Sequence, residues 1–468
     1  MELDGKKVLV IGAARSGVAA AQFLAERGAV VVLNDCKPLE EWSSEALELK
    51  TKNVGLLAGD VPMWLLDQTE LVVLSPGVPT NLIPVRYAER AGAEVIGEVE
   101  LAARFLRGKI AAITGSNGKT TTTTLVGELL KEAGLNVQVG GNIGTPLISL
   151  VASSRDDGWT IAEISSFQLE TTKEFHPQVA TVLNVTPDHM DRYEHFTDYA
   201  AAKHRIFRNQ TNADTAVLNA DDETTRSWAD SLRAKVVCFS VRRELERGIF
   251  LREKSEIVLR DKGTERALIR RNEILLPGLH NAENVMAAFA VGIACGANLN
   301  SMRETVKSFR AVEHRLEFVA EVGGVRFYND SKATNVDAAL KALEAFAERE
   351  GRIVIILGGR GKGASYAPLA PLLRERGRAL VLIGEDADRI ENELGNDAAA
   401  VERAADIGDA VRRAHAATQT GDIVLLAPAC ASFDMFTGYE HRGREFKKAV
   451  ENLRLENSRL TESVSAKF

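Results

Sequence analysis

The chain is short of cysteine, of long apolar runs and of basic clusters, and each shortage removes a class of function. Its four cysteines, Cys36, Cys238, Cys295 and Cys430, are scattered with no metal-ligand spacing. That pattern fits idle thiols in a reducing compartment. No apolar stretch reaches the roughly 18 residues expected of a membrane span. No block of lysine and arginine is interleaved with aromatics, and the formal net charge of -7 argues against nucleic acid as a standing partner. The opening "MELDGKKVLVIGAARSG" runs from acidic residues straight into a strand-like run, unlike a secretory leader. A cytoplasmic protein without stable membrane contact is expected. Self-similarity over a period of about 20–50 residues, the mark of a solenoid, is also missing.

What is present is an ordinary folding composition: 468 residues, 45% hydrophobic, enough for about three domains of roughly 150 residues. The first segment alternates strand and helix patterns. "KKVLVIG" leads into "AARSGVAAAQFLAERGA", a helix stopped by Gly28, and "VVVLND" and "ELVVLSPGV" are further strands. Such alternation predicts a parallel sheet covered on both faces. The second segment holds "KIAAITG", "WTIAEIS" and "VATVLNV", then short antiparallel strands in "GIFLR", "EIVLR" and "RALIRRNEILLPG", then the helix "NAENVMAAFAVGIACGA". The third, starting around Ala311, holds "GVRFYND", "RIVIILGG", "ALVLIG" and "DIVLLAPA" between helices. The predicted class is α/β, with boundaries at 1–97, 98–310 and 311–468. The polar end "ENSRLTESVSAKF" is expected to fray.

The most specific chemical signal is "AAITGSNGKTTTT". A β-branched run precedes it, and Leu125, Val126, Leu129 and Leu130 then fall on one helical face with Gly134 as the stop. The glycine-rich turn between strand and helix converges backbone N–H groups at the positive end of a helix dipole. Gly115, Ser116, Asn117, Gly118, Lys119, Thr120 and Thr121 form this cradle, with Lys119 in reach of terminal phosphates and the Thr120 hydroxyl suited to Mg²⁺. The cradle departs from the strict pattern because Ile113 occupies the first glycine position. Its charge partner is a nucleoside triphosphate, ATP.

Other stretches leave alternatives open. "VIGAARSG" with Asp35 resembles a degraded dinucleotide turn, since Ala13 and Ala14 replace the expected middle. NAD(P), another nucleotide diphosphate and a plain tight turn all fit it. Glu163 falls near the carboxyl end of a strand, the ligand edge of an open α/β sheet. Asp188, His189 and Asp191 share one loop, and a carboxylate with an imidazole suits a Mg²⁺ that also holds phosphates. His189 also reads as a loop histidine, His195 as a polar neighbour, and Lys203 as a solvated helix lysine.

Taken in order, "TGSNGKTTTTTL", "GGNIGTPL", "EISSFQLE", "NVTPDHMDRY", "AAKHRIF", "HNAENVMAA", "HRLE", "NDSKATN", "LGGRGKG" and "PACASFD" resemble the Mur ligases over roughly Lys7 to Lys448. Among them the likeness is to the branch adding D-glutamate. The resemblance implies a Rossmann-like UDP-binding domain, a central P-loop ATPase domain with a small antiparallel portion, and a Rossmann-like C-terminal domain. It implies that ATP phosphorylates the carboxylate of UDP-N-acetylmuramoyl-L-alanine and that D-glutamate attacks through a tetrahedral intermediate, a step in peptidoglycan precursor synthesis. Two Mg²⁺ ions, with Mn²⁺ as a possible substitute, would be held by Thr120, Glu163, His189 and Lys203, the last as a carbamate. Catalytic roles fall to Lys119, Glu163, His189 and Lys203.

By the same resemblance Asn284, Arg315 and Asp330 contact the nucleotide, so that closing the third segment onto the second would assemble the site. Lys332, Thr334, Lys362, Ser432 and Tyr439 bind D-glutamate, with Tyr439 standing where near relatives carry phenylalanine. Arg15, Ser16, Asp35, Ser75, Gly77 and Asn142 bind the UDP-sugar. A monomer acting on small molecules is expected. The "NDSKATN" stretch separates this branch from ligases that add L-alanine or diamino acids, and folylpolyglutamate synthetase is a further relative. An NAD(P) oxidoreductase would leave Lys119 unexplained, and a nucleotide-binding switch would release no phosphate in response to an amino acid.

Overall fold

The computed structural model describes residues 1–190, 192–310, 312–347 and 350–465, with side chains through Asn457. Asp191 and Ala311 lie outside the described residues. The described strands are β1 Lys7–Ile11, β2 Val30–Asp35, β3 Gly55–Ala58, β4 Leu71–Leu74, β5 Glu94–Gly97, β6 Lys109–Thr114, β7 Val137–Gly141, β8 Trp159–Glu163, β9 Val179–Val182 and β10 Thr215–Asn219. They continue with β11 Lys235–Ser240, β12 Gly248–Arg252, β13 Glu256–Asp261, β14 Thr264–Arg270, β15 Glu317–Val322, β16 Val325–Asn329, β17 Ile353–Gly358, β18 Gly377–Ile383, β19 Val401–Arg403 and β20 Ile423–Leu426.

These strands build three sheets, and the chain divides into two compact units. Unit 1 (Met1–Val185, Thr197–Ile269 and Val285–Val306) contains the first two sheets. The first has the order β3-β2-β1-β4-β5 and is parallel throughout. Its order reverses between β1 and β4, where an open α/β sheet leaves a crevice at the strands' carboxyl ends. Leu9, Ile11, Val72 and Leu74 pack one face against Val85 and Ala88 of the helix Ile83–Arg90.

The second sheet has the order β14-β13-β12-β11-β10-β9-β6-β8-β7. It is parallel from β7 through β12 and turns antiparallel at β12–β13. The expected antiparallel portion is therefore there, although the stretch after Arg270 in "RALIRRNEILLPG" is a 3₁₀ turn and loop rather than strand.

Unit 2 (Thr186–Phe196, Arg270–Asn284 and Lys307–Phe468) holds the order β15-β16-β20-β17-β18-β19. Alternate residues of a strand point to opposite faces, and here both faces are apolar. Ile353, Ile355, Leu357, Ile423 and Leu425 meet Ala339 and Leu343 of the helix Val336–Glu344. Val354, Ile356, Val424 and Leu426 meet Val411, Ala414, Phe446 and Val450 on the opposite side. That double burial explains why these strands read as unbroken apolar runs.

The tail departs from expectation, since the helix Tyr439–Ser465 runs through most of the segment expected to fray. No helix of the described residues is long and apolar enough to cross a membrane.

Candidate active site

The phosphate loop joins β6 to the helix Lys119–Glu132, whose residues Leu125, Val126, Leu129 and Leu130 are buried as the periodicity predicts. Gly118 is the residue before the helix and has φ 85, a left-handed conformation that glycine adopts without strain. The first N–H groups of any helix lack intrahelical acceptors and face an incoming anion. Lys119 Nζ curls over the loop, donating to the Gly115 carbonyl at 2.7 Å and the Ser116 carbonyl at 2.9 Å. Thr120 and Thr121 are buried beneath.

Two residues outside the motif shape this loop. Asn184, just after β9, accepts from Asn117 N–H at 2.8 Å and donates to the Asn117 carbonyl at 3.1 Å, and its own carbonyl accepts from Ser116 N–H at 2.9 Å. Tyr199 places its hydroxyl 3.0 Å from Ser116 Oγ. Both escaped the reading of the sequence. Asn184 reaches the loop because β9 lies beside β6, a pairing across many residues that no local pattern announces.

Glu163 ends β8 and is buried. Its Oε1 accepts from Asn142 Nδ2 at 2.8 Å, while Oε2 is buried with no hydrogen-bond partner. A buried carboxylate oxygen without a donor is costly by itself. It suits a hard cation that prefers oxygen ligands, so the Mg²⁺ expectation fits Glu163. Lys203, on the helix Phe196–His204, is 1% exposed and donates to the Gly115 carbonyl at 2.9 Å. It is not a solvated helix lysine. Its ammonium also lies 4.6 Å from the Tyr199 ring centre.

A cavity of about 700 Å³ opens at the carboxyl ends of β1 and β4, and Arg15, Ser16, Asp35, Ser75, Gly77 and Asn142 all line it. The geometry refines their roles. Asp35 Oδ2 accepts from Ala13 N–H at 2.8 Å and Oδ1 from Lys37 N–H at 3.1 Å, so this carboxylate braces the loop. Ser75 Oγ donates to the Gly12 carbonyl at 2.9 Å, and a Cβ on Gly12 would come within 2.7 Å of Ser75. Arg15 donates to the Gly144 carbonyl, linking the first loop to the "GGNIG" loop that carries Asn142. The cavity thus contacts Glu163 through Asn142.

Unit 2 gathers a second set: His189, Asn284, Arg315, Asp330, Lys332, Thr334, Lys362, Ser432 and Tyr439. Asp330, directly after β16, is buried and has Oδ1 without a partner. Burial pushes its carboxyl up to about 6 against the pull of Arg315 and Lys332. Arg315 likewise has a buried Nε lacking an acceptor. Asn284 is buried and donates to Asn281 Oδ1 at 3.1 Å.

Asp188 joins several of these groups. It accepts from Asn335 at 3.1 Å and lies 3.5 Å from Lys362 Nζ and 3.6 Å from His189 Nε2. Lys332 Nζ sits 5.2 Å from the centre of the Tyr439 ring, which presents its aromatic face to that lysine. Ser432 is buried in the loop after β20. His195 is exposed, 3.9 Å from Glu194, as a polar neighbour would be. One further acidic group, Glu313, His314 and Glu317, is already bridged by Lys447 at 2.7 and 2.9 Å.

Three α/β sheets, a phosphate loop on the middle one and an orphaned carboxylate beside it define a nucleotide-dependent enzyme of the P-loop class. The sequence matches the profiles of the Mur ligase MurD-like N-terminal domain over residues 6–97, the Mur ligase middle domain over 113–292 and the Mur ligase glutamate ligase domain over 314–430. The chain belongs to the Mur ligase family.

Among its relatives is the UDP-N-acetylmuramoylalanine--D-glutamate ligase of Acidobacterium capsulatum, 49% identical over 96% of this chain and 97% of that protein. The ligase of the same name from Koribacter versatilis is 47% identical over 97% and 99%. Solved structures share the fold. The UDP-N-acetylmuramate-alanine ligase of Thermotoga maritima superposes with a TM-score of 0.59 at 19% identity, covering 96% of this chain and 99% of that one. MurF ligase from Thermotoga maritima in complex with ADP gives 0.60 at 16%, covering 90% and 95%.

Proposed function

We propose that this chain is an ATP-dependent ligase that joins D-glutamate to UDP-N-acetylmuramoyl-L-alanine in peptidoglycan precursor synthesis. The observation that carries the reading is the full-length likeness, 49% identity over 96% of the chain, to a ligase named for that reaction. A carboxylate is a poor acyl donor, because its charge is delocalised and its oxygen leaves badly. Attack of a carboxylate oxygen on the γ-phosphorus of ATP expels ADP and yields an acyl phosphate. The neutral amine of D-glutamate then adds to the acyl carbon, and the tetrahedral intermediate collapses to an amide as phosphate leaves and the amine loses a proton. Positioning and charge neutralisation do most of the work in such transfers.

The chain's residues divide these tasks. Lys119 and the N–H groups of residues 115–121 hold the β- and γ-phosphates, Asn284 and Asp330 hold the nucleoside, and Arg315 meets the transferred phosphate. Lys332, Thr334, Lys362, Ser432 and Tyr439 receive D-glutamate, whose two carboxylates suit the two lysines. Arg15, Ser16, Asp35, Ser75, Gly77 and Asn142 receive the UDP-sugar in the cavity after β1 and β4. Thr120 and Glu163 would hold one Mg²⁺ and His189 a second, with Lys203 as a carbamate supplying a further oxygen ligand. When bound, Mg²⁺ or Mn²⁺ neutralises charge on the phosphoryl oxygens. The unpartnered Oε2 of Glu163 supports the first assignment. Matched profiles at 6–97, 113–292 and 314–430 support domains at 1–97, 98–310 and 311–468. The protein works as a cytoplasmic monomer on small molecules, without nucleic acid or a stable membrane partner.

The test is phosphate release with UDP-N-acetylmuramoyl-L-alanine and ATP while D-glutamate, L-glutamate, L-alanine and diaminopimelate are supplied in turn. D-Glutamate alone should support turnover. Equal rates with L-glutamate, or none with D-glutamate, would remove the assignment.

A further inference from the structure

Arg442 is 1% exposed, in the first turn of the helix Tyr439–Ser465. Its guanidinium spans neutral groups. Nε donates to Ser331 Oγ at 3.0 Å, Nη2 to the Ser331 carbonyl at 2.8 Å, and Nη1 and Nη2 both to the Cys430 carbonyl at 3.2 Å. Among the described residues no carboxylate hydrogen-bonds to it, and the charge of Asp434 favours the cation only through space. Burial pulls the group down to about 10, so it remains a cation near neutral pH.

Burying a cation on neutral acceptors is unfavourable to stability. Stability alone gives little reason for an arginine here, since the charge of Asp434 does not offset the burial. Its surroundings give one. Ser331 lies between Asp330 and Lys332, in the loop after β16. Cys430 precedes Ser432 by two residues in the loop after β20. Ser331 Oγ passes the link onward by donating to the Tyr439 carbonyl at 2.8 Å.

A third loop closes over the same group. A Cβ added to Gly359 would lie 3.3 Å from Arg442 Nη1, and Gly359 opens the "GRGK" turn that leads to Lys362. That turn is bonded to the β20 loop, with Arg360 N–H donating to the Ala431 carbonyl and Ala431 N–H to the Arg360 carbonyl, each at 2.9 Å. The strands β16, β20 and β17 are adjacent, so one guanidinium braces neighbouring loops at one sheet edge.

We propose that Arg442 is a positioning residue for the amino-acid substrate, locking into one geometry the loops that carry Lys332, Ser432, Tyr439 and Lys362 and adding a buried positive charge beneath a dianion. The inference rests on the D-glutamate reading above. Arginine's planar fork meets several carbonyl acceptors at once, whereas a lysine ammonium at the same place meets fewer.

The experiment compares the wild type with Arg442→Lys and Ser331→Ala in steady-state kinetics, varying D-glutamate, ATP and UDP-N-acetylmuramoyl-L-alanine separately. Folding is checked by urea unfolding. Arg442→Lys should raise KM for D-glutamate about ten-fold or more, with the KM for UDP-N-acetylmuramoyl-L-alanine within about two-fold and a smaller rise for ATP, because Asp330 shares the Ser331 loop. Ser331→Ala should move the same constant in the same direction by a smaller factor, and it decides the matter if Arg442→Lys does not fold. A common rise in all three KM values marks general damage and overturns the proposal, as does an unchanged D-glutamate KM in the folded variants. A wild type that never uses D-glutamate overturns the parent reading instead.

Discussion

Lys203 carries opposite expectations depending on how it is read, and its surroundings decide between them. A helix lysine among "DYAAAKHRIF" has no local reason to be buried. Yet it is enclosed, with its Nζ on the phosphate loop's Gly115 carbonyl. A lysine must be neutral before it can take up carbon dioxide, and an ordinary pKa near 10.4 opposes that. On the carbamate assignment proposed above, replacing the side chain removes an anionic oxygen ligand that small acids could replace. Lys203→Ala is expected to lose activity by about 100-fold or more and to regain part of it with millimolar formate or acetate. Full activity without the acid would end the carbamate assignment. Glu163 was legible because it closes an apolar strand. The burial of Lys203 and of Arg442 was not, because it rests on the Gly115 and Ser331 carbonyls far away in the chain, and the role of Lys203 came from the resemblance alone.

At the level of elements, the strands that were easiest to see are those buried on both faces. β1, β4, β6, β17 and β20 read as continuous apolar runs. β15, with exposed Phe318 and Glu321, and β19, three residues at a sheet edge, left no such signature. The link from β9 to the phosphate loop was equally hidden. Asn184 makes two side-chain hydrogen bonds to Asn117. Losing them removes two hydrogen bonds to the buried Asn117 backbone, at a net cost of about 0.5–1.5 kcal/mol each. Asn184→Ala should accordingly weaken ATP binding, measured by calorimetry, while the UDP-sugar affinity stays near wild type. Equal loss of both affinities would count against a local brace. The tail shows the opposite failure: a polar run looked unstructured, yet its backbone continues the helix begun at Tyr439.

Across the larger body of unit 1, Glu98 offers a handle on how the first two sheets are held. It directly follows β5, and its Oε1 accepts from Ile148 N–H at 2.7 Å, after β7. Burial pushes its carboxyl from the ordinary 4.5 up to about 7. The folded chain thus keeps a proton that the unfolded chain releases. That stabilisation is complete below 4.5 and is lost as pH rises through about 7. Glu98→Gln should flatten the fall in urea midpoint between about pH 5 and pH 8. An equally steep fall in the variant would show that another group carries the effect. The C-terminal sheet has a consequence for anyone exchanging parts between such ligases. β20 feeds Ile423 and Leu425 to one core and Val424 and Leu426 to the other. A graft that adds an odd number of residues within that strand would swap every layer assignment and misaim the substrate loop beyond it. Only insertions of even parity leave both interiors, and the cradle they support, in phase.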